Sequence, residues 1–475
     1  MRTNAAHLQR SHETKQGGLV QAVIVGAGPA GVRAAQTLVA HGLRPVLLDE
    51  AARAGGQIYR RPPENFQRPA KVLYGFEAGR ASKLHAAAEN LLHSVDYHPD
   101  SLVWNAQGGA LDVMQGHSQT THQQPYRQLI VATGATDRIL PVPGWTLPGV
   151  YSLGGAQVAL KFQGVAIGQR VVFMGTGPLL YLIAWQYARA GVEVAAVLDT
   201  SRLSDQVAAL PGLLTQPAVL AKGLYFVAWL RAHGVALHSG VRPLRLLGQA
   251  RVRAVVWHDG QQERQLDCNA VGMGHALRPE TQLADLLGCR FTWEPQQRAH
   301  LPQRDAAGRS SVTGVYLAGD GAGIMGADAA EWAGELAALT LLADKGVSVD
   351  AARARWLQGK LKHLQRFRAG LERAFPFPEN WAAQAPDELV VCRCEHITAG
   401  DLRRTVHEGG AKEMNRLKAL SRVGMGRCQG RMCGVAAAEI LAHATGQSLE
   451  QVGRLRAQAP IKPIPIHLLQ TPDPP

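Results

Sequence analysis

The chain has 475 residues, of which 46% are hydrophobic and 18% charged. It is long enough for two or three domains and too apolar for a disordered protein. The formal net charge is +13, but no helix-turn-helix, zinc finger or aromatic-basic RNA motif accompanies it. We therefore expect no nucleic-acid partner and interpret the basic surface as one that docks acidic partners or ligands.

No apolar run is long enough to span a bilayer, and the first 18 residues are polar. The sequence therefore predicts a cytoplasmic protein without a membrane span, and leaves peripheral attachment to the inner membrane open.

A Gly-rich turn follows the first predicted strand. Gly26, Gly28 and Gly31 form G-x-G-x-x-G between that strand and a helix. The first glycine permits the turn, the second lets backbone approach a pyrophosphate, and the third lets helix and strand pack closely. Asp49 ends the next strand and is the candidate acceptor for ribose hydroxyls. The pattern predicts a dinucleotide site, although three glycines alone are weak evidence.

Three later segments strengthen this prediction. They could bring bare backbone or a carboxylate to a flavin, and they are Gly55-Gly56-Gln57, Ala132-Thr133-Gly134 and Gly319-Asp320. Their order resembles the two-dinucleotide-domain flavoproteins of the glutathione-reductase type over residues 20–345. The resemblance implies an α/β fold and bound FAD, with Asp320 on a ribityl hydroxyl.

A second βαβ pattern begins near residue 169. Gly175 and Gly177 are its candidate nucleotide-binding residues, but Leu180 stands where the third glycine belongs and should push helix and strand apart. Asp199 ends the next strand and disfavours NADP. This turn could hold NAD, hold only an adenine nucleotide, or be a structural relic.

Six cysteines are present, and four of them form two close pairs near the C-terminus. Cys392 and Cys394 make one pair, and Cys428 and Cys433 make the other. This spacing suits a [2Fe-2S] cluster, and zinc, which more usually uses C-x₂-C, is the alternative. We expect nearby arginines and glycine backbone to stabilise the negative cluster; they are Arg393, Arg427, Arg431, Gly424, Gly426, Gly430 and Gly434.

The other two cysteines, Cys268 and Cys289, lie in or beside apolar runs and are interpreted as buried core thiols. No redox-active C-x-x-C or C-x₄-C pair precedes residue 392. The sequence therefore lacks the cysteine pair that a disulfide reductase needs.

The stretch 392–434 resembles the bacterioferritin-associated-ferredoxin-like [2Fe-2S] domain. Its fusion behind the segments 132–157 and 317–330 resembles the flavoprotein α subunit of bacterial opine, hydroxyproline and proline dehydrogenases, and the B subunit of hydrogen cyanide synthase. The chain departs from that family at Thr136-Asp137, where an aromatic residue and Glu are common.

That resemblance implies a heteromer. The expected partners are a β subunit of the D-amino-acid-oxidase type with its own FAD and, optionally, a small ferredoxin-like [2Fe-2S] subunit. An FMN can sit between α and β.

The sequence shows no convincing acid or base that would act on the substrate, and we name no catalytic residue.

The domain prediction follows from these motifs. We expect a two-dinucleotide-binding-domain flavoprotein with a small helical C-terminal [2Fe-2S] domain. Its predicted parts are a polar arm (1–19), the first part of an FAD-binding domain (20–155), an inserted Rossmann-like domain (156–300), the return of the FAD domain (301–345), a helical linker (346–385), the cluster domain (386–446) and a Pro-rich arm (447–475).

The function that the sequence favours is electron transfer in an oxidoreductase acting on CH-NH or CH-NH₂ donors. The chain would be the FAD- and [2Fe-2S]-containing α subunit of a dehydrogenase for an opine, hydroxyproline, proline or glycine. Two alternatives stay open: a self-sufficient NAD(P)H-dependent flavin and [2Fe-2S] reductase, and a non-enzymatic redox sensor or scaffold.

Overall fold

The computed structural model describes residues 22–63, 66 and 68–466. The predicted arm over 1–19 lies outside these residues, as do positions 467–475 of the predicted Pro-rich arm. None of the described helices is both long enough and apolar enough to cross a membrane.

The first part of the chain builds a parallel sheet around its first strand. Every residue of β1 and β7 is buried, as expected for a parallel sheet covered on both faces. β1 pairs in parallel with β2 on one side and β7 on the other. The elements are β1 (Ala22–Val25), α1 (Pro29–Ala40), β2 (Val46–Leu48), α2 (Ala70–Tyr74), α3 (Ala78–Leu91), β3 (Asp96–His98), β4 (Ser101–Gln107), β5 (Ala110–Gln115), β6 (Thr120–Pro125), β7 (Gln128–Val131) and β8 (Ala135–Asp137).

The next part forms a second parallel sheet, in the order β12-β11-β10-β16-β9. An antiparallel ribbon, β13-β14-β15, precedes its strand β16. The elements are β9 (Val150–Ser152), α4 (Leu153–Val158), β10 (Arg170–Thr176), α5 (Pro178–Arg189), β11 (Glu193–Asp199), α6 (Leu203–Ala208), α7 (Leu210–Leu213), α8 (Pro217–Ala232), β12 (Ala236–Ser239), β13 (Arg242–Gly248), β14 (Val252–His258), β15 (Glu263–Asp267) and β16 (Ala270–His275).

The chain then returns to the first sheet. β20 pairs with β7 and completes the order β20-β7-β1-β2-β3. The elements are β17 (Leu277–Pro279), α9 (Gln282–Leu286), β18 (Phe291–Glu294), β19 (Ala299–Pro302), β20 (Val315–Leu317) and α10 (Ala327–Asp344).

Strand pairing indicates different bounds for the inserted unit from the predicted residues 156–300. β9 pairs with β16 and so belongs to the second sheet, while β17 already pairs with β8 of the first part. We propose that the inserted sheet runs from Val150 to His275. Where the chain passes between the two sheets, its apolar segments are too short to show a periodicity. The sequence therefore could not locate these boundaries.

The C-terminal part is mostly helical. Its elements are α11 (Ala351–Ala374), α12 (Trp381–Gln384), β21 (Val390–Cys392), β22 (Ile397–Thr398), α13 (Ala399–His407), α14 (Met414–Ser421), α15 (Gly434–Thr445) and α16 (Leu449–Val452). A predicted capping box opens α13: Thr398 accepts a hydrogen bond from the backbone of Asp401, and the Asp401 carboxylate accepts one from the backbone of Thr398.

Two tryptophans dock the C-terminal part onto the segment that leads into the inserted sheet. Trp145 Nε1 donates to the carbonyl of Val390 at 2.6 Å, and Trp381 Nε1 donates to the carbonyl of Pro141 at 2.8 Å. Apolar side chains of both parts belong to one continuous core. The cluster domain is therefore packed against the flavoprotein body.

The segment that we expected to be a Pro-rich surface arm packs against strand β4, which belongs to a separate antiparallel sheet, β4-β5-β6. Ile461 is 4% exposed, and its N–H donates to the carbonyl of Trp104. Asp285 accepts hydrogen bonds from Arg454 and from the N–H of Ala457. The isolated Ile461 gave no pattern from which this packing could be predicted.

Candidate cofactor sites

Two glycines of the first Gly-rich turn are required by packing. A Cβ on Gly31 would lie 1.7 Å from the carbonyl oxygen of Gly26, and one on Gly26 would lie 2.3 Å from that of Ala132. Gly26 also has a φ of +105°, which favours glycine. Both positions therefore exclude side chains for reasons internal to the fold.

Gly28 is different, because the fold itself would accept a side chain there. Its φ is −77°, and an added Cβ would meet no atom closer than the Cα of Gly56, at 3.6 Å. Gly28 is also the N-cap of α1, and no side chain caps that end. Open space beside uncapped helix N–H groups is what a pyrophosphate needs. These residues fit FAD.

Asp49 lies against the same turn. Its carboxylate accepts hydrogen bonds from the N–H groups of Ala27 and Ala51. Burial raises the pKa of Asp49 to about 6, against the opposing effect of those two hydrogen bonds. The side chain is thus positioned by backbone next to Gly28, where we predicted the ribose acceptor.

The other predicted flavin residues lie at three places around this turn. Gly56 directly faces Gly28, and Gln57 beside it is exposed. Ala132 is 8% exposed and directly follows β7. Gly134 has a φ of +72°, and no described atom lies within 4 Å of a Cβ placed on it.

Thr133 and Asp320 are already engaged within the protein. The hydroxyl of Thr133 donates to the carbonyl of Glu280 at 2.7 Å. Asp320 Oδ1 accepts from the N–H groups of Met325 and Gly326, ahead of α10, which begins at Ala327. Gly319 lies in the same turn, with a φ of +69°. The role of Asp320 on a ribityl hydroxyl stays a prediction.

At the second Gly-rich turn, Gly175 is explained by packing, since an added Cβ would lie 1.7 Å from the carbonyl oxygen of Gly274. Gly177 has a φ of +108°, unlike Gly28. Leu180 is fully buried in an apolar cluster that includes Phe173. The backbone of this turn thus differs from that of the first Gly-rich turn, and it accommodates Leu180 in the apolar core.

Asp199, which matches Asp49 in sequence position, is saturated by the protein. It is fully buried and accepts hydrogen bonds from the hydroxyl of Thr176 (3.0 Å), the hydroxyl of Tyr181 (2.8 Å) and the N–H of Ser201 (2.9 Å). Burial raises its pKa. These internal hydrogen bonds leave Asp199 poorly placed to receive a ribose.

The structure gives a role to Asp137, where the chain departs from its relatives' pattern. Both oxygens of its carboxylate accept from the N–H of Gly154, at 3.0 and 3.1 Å, in the first turn of α4. A carboxylate is favourable at a helix N-terminus. Asp137 therefore fixes the start of α4 to the strand pair β8-β17.

The four predicted cluster ligands come together. Side-chain contacts join Cys392 to Cys433, Cys433 to Cys428, and Cys428 to Cys394. Cys392 and Cys433 are buried, whereas Cys394 is exposed. No group of three or more His, Cys, Asp and Glu side chains in the described residues is arranged to hold a single metal ion. The thiols lie in a row with one end at the surface.

Backbone N–H groups point at these sulfurs, as the glycine spacing predicted. Gly424 N–H reaches Cys392, and Gly430 N–H reaches Cys428. Contact with Cys433 lowers the pKa of Cys392 to about 6, against burial and with help from the backbone N–H groups. Thiolates with such donors fit an iron–sulfur cluster.

Two of the arginines expected beside the cluster have other partners. The guanidinium of Arg393 lies over the Trp145 ring, 5.7 Å from its centroid, and that of Arg431 is ion-paired with Glu280. Arg278, which the sequence did not single out, stands near the cluster loop, within reach of the negative charge of Cys428 and Cys433. Burial lowers the pKa of Arg278.

A buried lysine also escaped the sequence analysis. Lys161 is 2% exposed, and its ammonium donates to the carbonyl of Ile58, the residue after Gln57. Burial lowers its pKa to about 7. A single lysine among apolar residues gives no sequence signal of such a contact. The remaining two cysteines, Cys268 and Cys289, are buried core thiols, as predicted.

Comparison with known proteins decides the family. The model of the pyridine nucleotide-disulphide oxidoreductase family matches residues 20–334, and that of the BFD-like [2Fe-2S] binding domain matches residues 390–443. The chain belongs to the pyridine nucleotide-disulphide oxidoreductase family. It is an oxidoreductase of the flavin-binding type and ends in a [2Fe-2S] domain, which confirms the predicted fold class.

Two curated relatives match almost the whole chain. The A subunit of opine oxidase from Agrobacterium tumefaciens (strain Ach5) is 37% identical, over 93% of this chain and 90% of that protein. Hydrogen cyanide synthase subunit HcnB of Pseudomonas protegens is 35% identical, over 93% of this chain and 96% of that protein. The resemblance stated from the motifs is confirmed, and both relatives are named as subunits.

Solved structures agree on the fold. L-proline dehydrogenase from P. horikoshii superposes with a TM-score of 0.72 at 18% identity, covering 96% of this chain and 80% of that chain. T. acidophilum thioredoxin reductase superposes with a TM-score of 0.50 at 21% identity, over 68% of this chain and 98% of that one. The second likeness reflects the two-dinucleotide-domain body.

Proposed function

We propose that this chain is the electron-transfer α subunit of a heteromeric dehydrogenase that oxidises the C–N bond of an opine, hydroxyproline, proline or glycine. One observation carries the proposal. The 37% identity to the opine oxidase relative extends over 93% of the chain, and so across both the flavin-type turn and the four-thiol row.

When bound, FAD would exchange electron pairs or single electrons, and a [2Fe-2S] cluster would carry one electron at a time. The chain's own residues bind and orient these groups. Backbone at Gly28 and the N-terminus of α1 would hold the pyrophosphate, and Asp49 would accept the ribose hydroxyls. Cys392, Cys394, Cys428 and Cys433 would hold the irons, with backbone N–H groups offsetting the negative charge.

An apolar surface on the inserted unit supports the existence of a partner protein. Four side chains of helices α6 to α8 and their connection are more than half exposed: Leu203, Val207, Leu214 and Leu224. Phe76 of the first part is 51% exposed, stacks on Trp185 and contacts the ring of Tyr225 in α8. Large exposed apolar surfaces mark protein interfaces. We refer to these five exposed residues as the apolar surface.

We propose that a β subunit of the D-amino-acid-oxidase type, with its own FAD, occupies the apolar surface, because both near-full-length relatives are named as subunits. The same proposal includes an FMN between the two proteins and a small ferredoxin-like third component. In this arrangement the substrate is oxidised on the partner, and this chain takes up the electrons.

The alternative of a self-sufficient NAD(P)H reductase is disfavoured by Asp199, whose carboxylate is saturated inside the protein. The alternative of a redox sensor predicts weak or substoichiometric flavin. Tight stoichiometric flavin would count against it.

The test is anaerobic dye reduction with octopine, nopaline, hydroxyproline, proline and glycine, using this chain alone and co-expressed with the β subunit. We expect turnover only with the partner. Cys428→Ser should remove iron and sulfide, leave FAD bound and abolish dye reduction by the complex if the dye accepts from the cluster. Turnover by the isolated chain would contradict the proposal.

The apolar surface has its own test. Leu214→Glu with Leu224→Glu should release the β subunit in size-exclusion chromatography and leave the FAD and iron of this chain unchanged. Ile466→Glu is the matched control, because Ile466 is 82% exposed and lies outside the apolar surface. If the double variant instead breaks a dimer of this chain and still binds the β subunit, a second copy occupies the surface.

A further inference from the structure

An ion pair joins the loop that carries Cys428 and Cys433 to the flavoprotein body. Arg431, between the two cysteines, donates to both carboxylate oxygens of Glu280, at 2.7 Å from Nε and 3.1 Å from Nη2. The two side chains are 15% and 8% exposed. A bidentate pair of this kind fixes orientation as well as distance.

The backbone of Glu280 is bonded to the other predicted cofactor site. Its N–H donates to the carbonyl of Gly134 at 2.9 Å, and its carbonyl accepts from the hydroxyl of Thr133 at 2.7 Å. Both partners belong to the Ala132-Thr133-Gly134 segment expected at the flavin. Glu280 thus contacts the flavin segment through its backbone and the cluster loop through its side chain.

Further contacts hold the same junction. Arg431 Nη1 donates to the carbonyl of Ile461 at 2.6 Å, and Gln282 donates to the carbonyl of Gln429 at 2.6 Å. Burial alone would raise the pKa of Glu280, but Arg431 and then Arg278 hold it below its ordinary value. The carboxylate is therefore ionised and paired with Arg431.

We propose that Glu280 and Arg431 are positioning residues that fix the cluster at a defined distance from the flavin, so that electrons pass between them within this chain. The inference rests on the proposed function. When both groups are bound, FAD would give up one electron in each transfer and the cluster would accept it. No bond to the protein forms or breaks in such a transfer.

The test compares two substitutions of the same kind in the purified full chain. Glu280→Gln replaces the carboxylate that pairs with Arg431 by a neutral amide. Glu439→Gln breaks a matched ion pair, in which Arg298 binds both oxygens of Glu439 at 2.9 and 3.2 Å, on helix α15 rather than on the cluster loop. The flavin is reduced by a light flash, and the rise of the reduced-cluster signal is followed by absorbance and electron paramagnetic resonance.

We expect Glu280→Gln to slow this intramolecular step several-fold, because the rate of electron transfer falls steeply as donor and acceptor move apart. FAD, iron and sulfide contents should stay at wild-type levels, and Glu439→Gln should match the wild type. Arg431→Lys keeps the charge but loses the bidentate contact, and should fall between the two.

The outcomes separate the two proposals. If the wild-type chain shows no electron transfer from flavin to cluster, the proposed function fails. If the wild type transfers electrons and both Glu280→Gln and Arg431→Lys, with full cofactor content, transfer them equally fast, the positioning role is overturned and the function stands. Equal slowing in Glu439→Gln would also overturn the positioning role, because domain attachment in general would then be responsible.

Discussion

The two Gly-rich turns of this chain look alike in sequence and differ in what their residues contact. At the first turn, Gly28 leaves open space that the fold does not require, and Asp49 is held beside it by backbone N–H groups. At the second, Gly177 has a left-handed φ, Leu180 fills the core, and Asp199 is saturated by neighbouring side chains and backbone.

The difference shows that a dinucleotide motif is evidence for a βαβ fold and is not by itself evidence for a bound ligand. Gly26 and Gly175 are both glycine because a carbonyl from a neighbouring strand leaves no room for a Cβ. Gly28 is different, because neither packing nor backbone conformation requires a glycine there. A glycine of this kind indicates that a bound group needs the space. We therefore propose that FAD binds at the first turn and that the second turn has a structural role.

The largest effect is expected at Gly31. Gly31→Val places a side chain where even a Cβ would lie 1.7 Å from the carbonyl oxygen of Gly26. Such overpacking should cost about 3 kcal/mol or more and displace the helix whose N-terminus we propose as the pyrophosphate site. We expect loss of bound flavin and a lower denaturant midpoint. Gly79→Val is the control, since nothing described lies within 4 Å of a Cβ there.

At the second turn the corresponding position should affect only stability. Leu180→Ala removes a fully buried leucine and should cost about 2–5 kcal/mol of unfolding free energy. The flavin content of the folded fraction should not change, because Leu180 packs in the cluster of the inserted unit. Urea unfolding together with flavin analysis checks this. Loss of flavin from the folded fraction would place a cofactor at the second turn.

The sequence predicted much of this architecture, for reasons that can be traced to local patterns. Buried parallel strands such as β1 and β10 are short apolar runs ending in glycine, and the paired spacing of Cys392 with Cys394 and Cys428 with Cys433 is itself chemical information. Asp49 and Asp199, in contrast, occupy equivalent positions in the two sequence motifs, each at the end of the second strand. Only their contacts in three dimensions distinguish them.

What the sequence missed depends on contacts between distant positions. Glu280 and Arg431 are 151 residues apart, so no local pattern joins them. Ile461 packs under the first sheet although the nearby Pro460 and Pro463 are typical of an extended arm. Arg431 was expected beside the cluster, and the structure shows its guanidinium paired with the buried carboxylate of Glu280.

A smaller effect is expected when one substitution is made at both acidic residues. In Asp49→Asn, the amide NH₂ must face a backbone N–H of either Ala27 or Ala51, and neither donor can reverse. An unsatisfied donor costs about 1–3 kcal/mol. The neutral amide would also accept weaker hydrogen bonds from the ribose hydroxyls than the carboxylate does, by about 1 kcal/mol or more. Flavin affinity should therefore fall about tenfold, measured by equilibrium dialysis against FAD.

Asp199→Asn should be nearly neutral, within about 1 kcal/mol, and is the matched partner of that experiment. Its amide oxygen can accept from Thr176 and Ser201, and its NH₂ can donate to the hydroxyl of Tyr181, which can reverse direction. Thermal unfolding and flavin content should match the wild type. A loss of flavin in Asp199→Asn alone would reverse the assignment of the two turns.

We propose that electrons enter this chain from a partner protein and not from a pyridine nucleotide at the second turn. An anaerobic titration of the purified chain, followed by the flavin and cluster absorbance, distinguishes the two sources. With NADH alone we expect no bleaching of either cofactor. With the β subunit, supplied with its opine or amino-acid substrate, we expect bleaching of both. Stoichiometric bleaching of the isolated chain by NADH would overturn the proposal and identify a self-sufficient reductase.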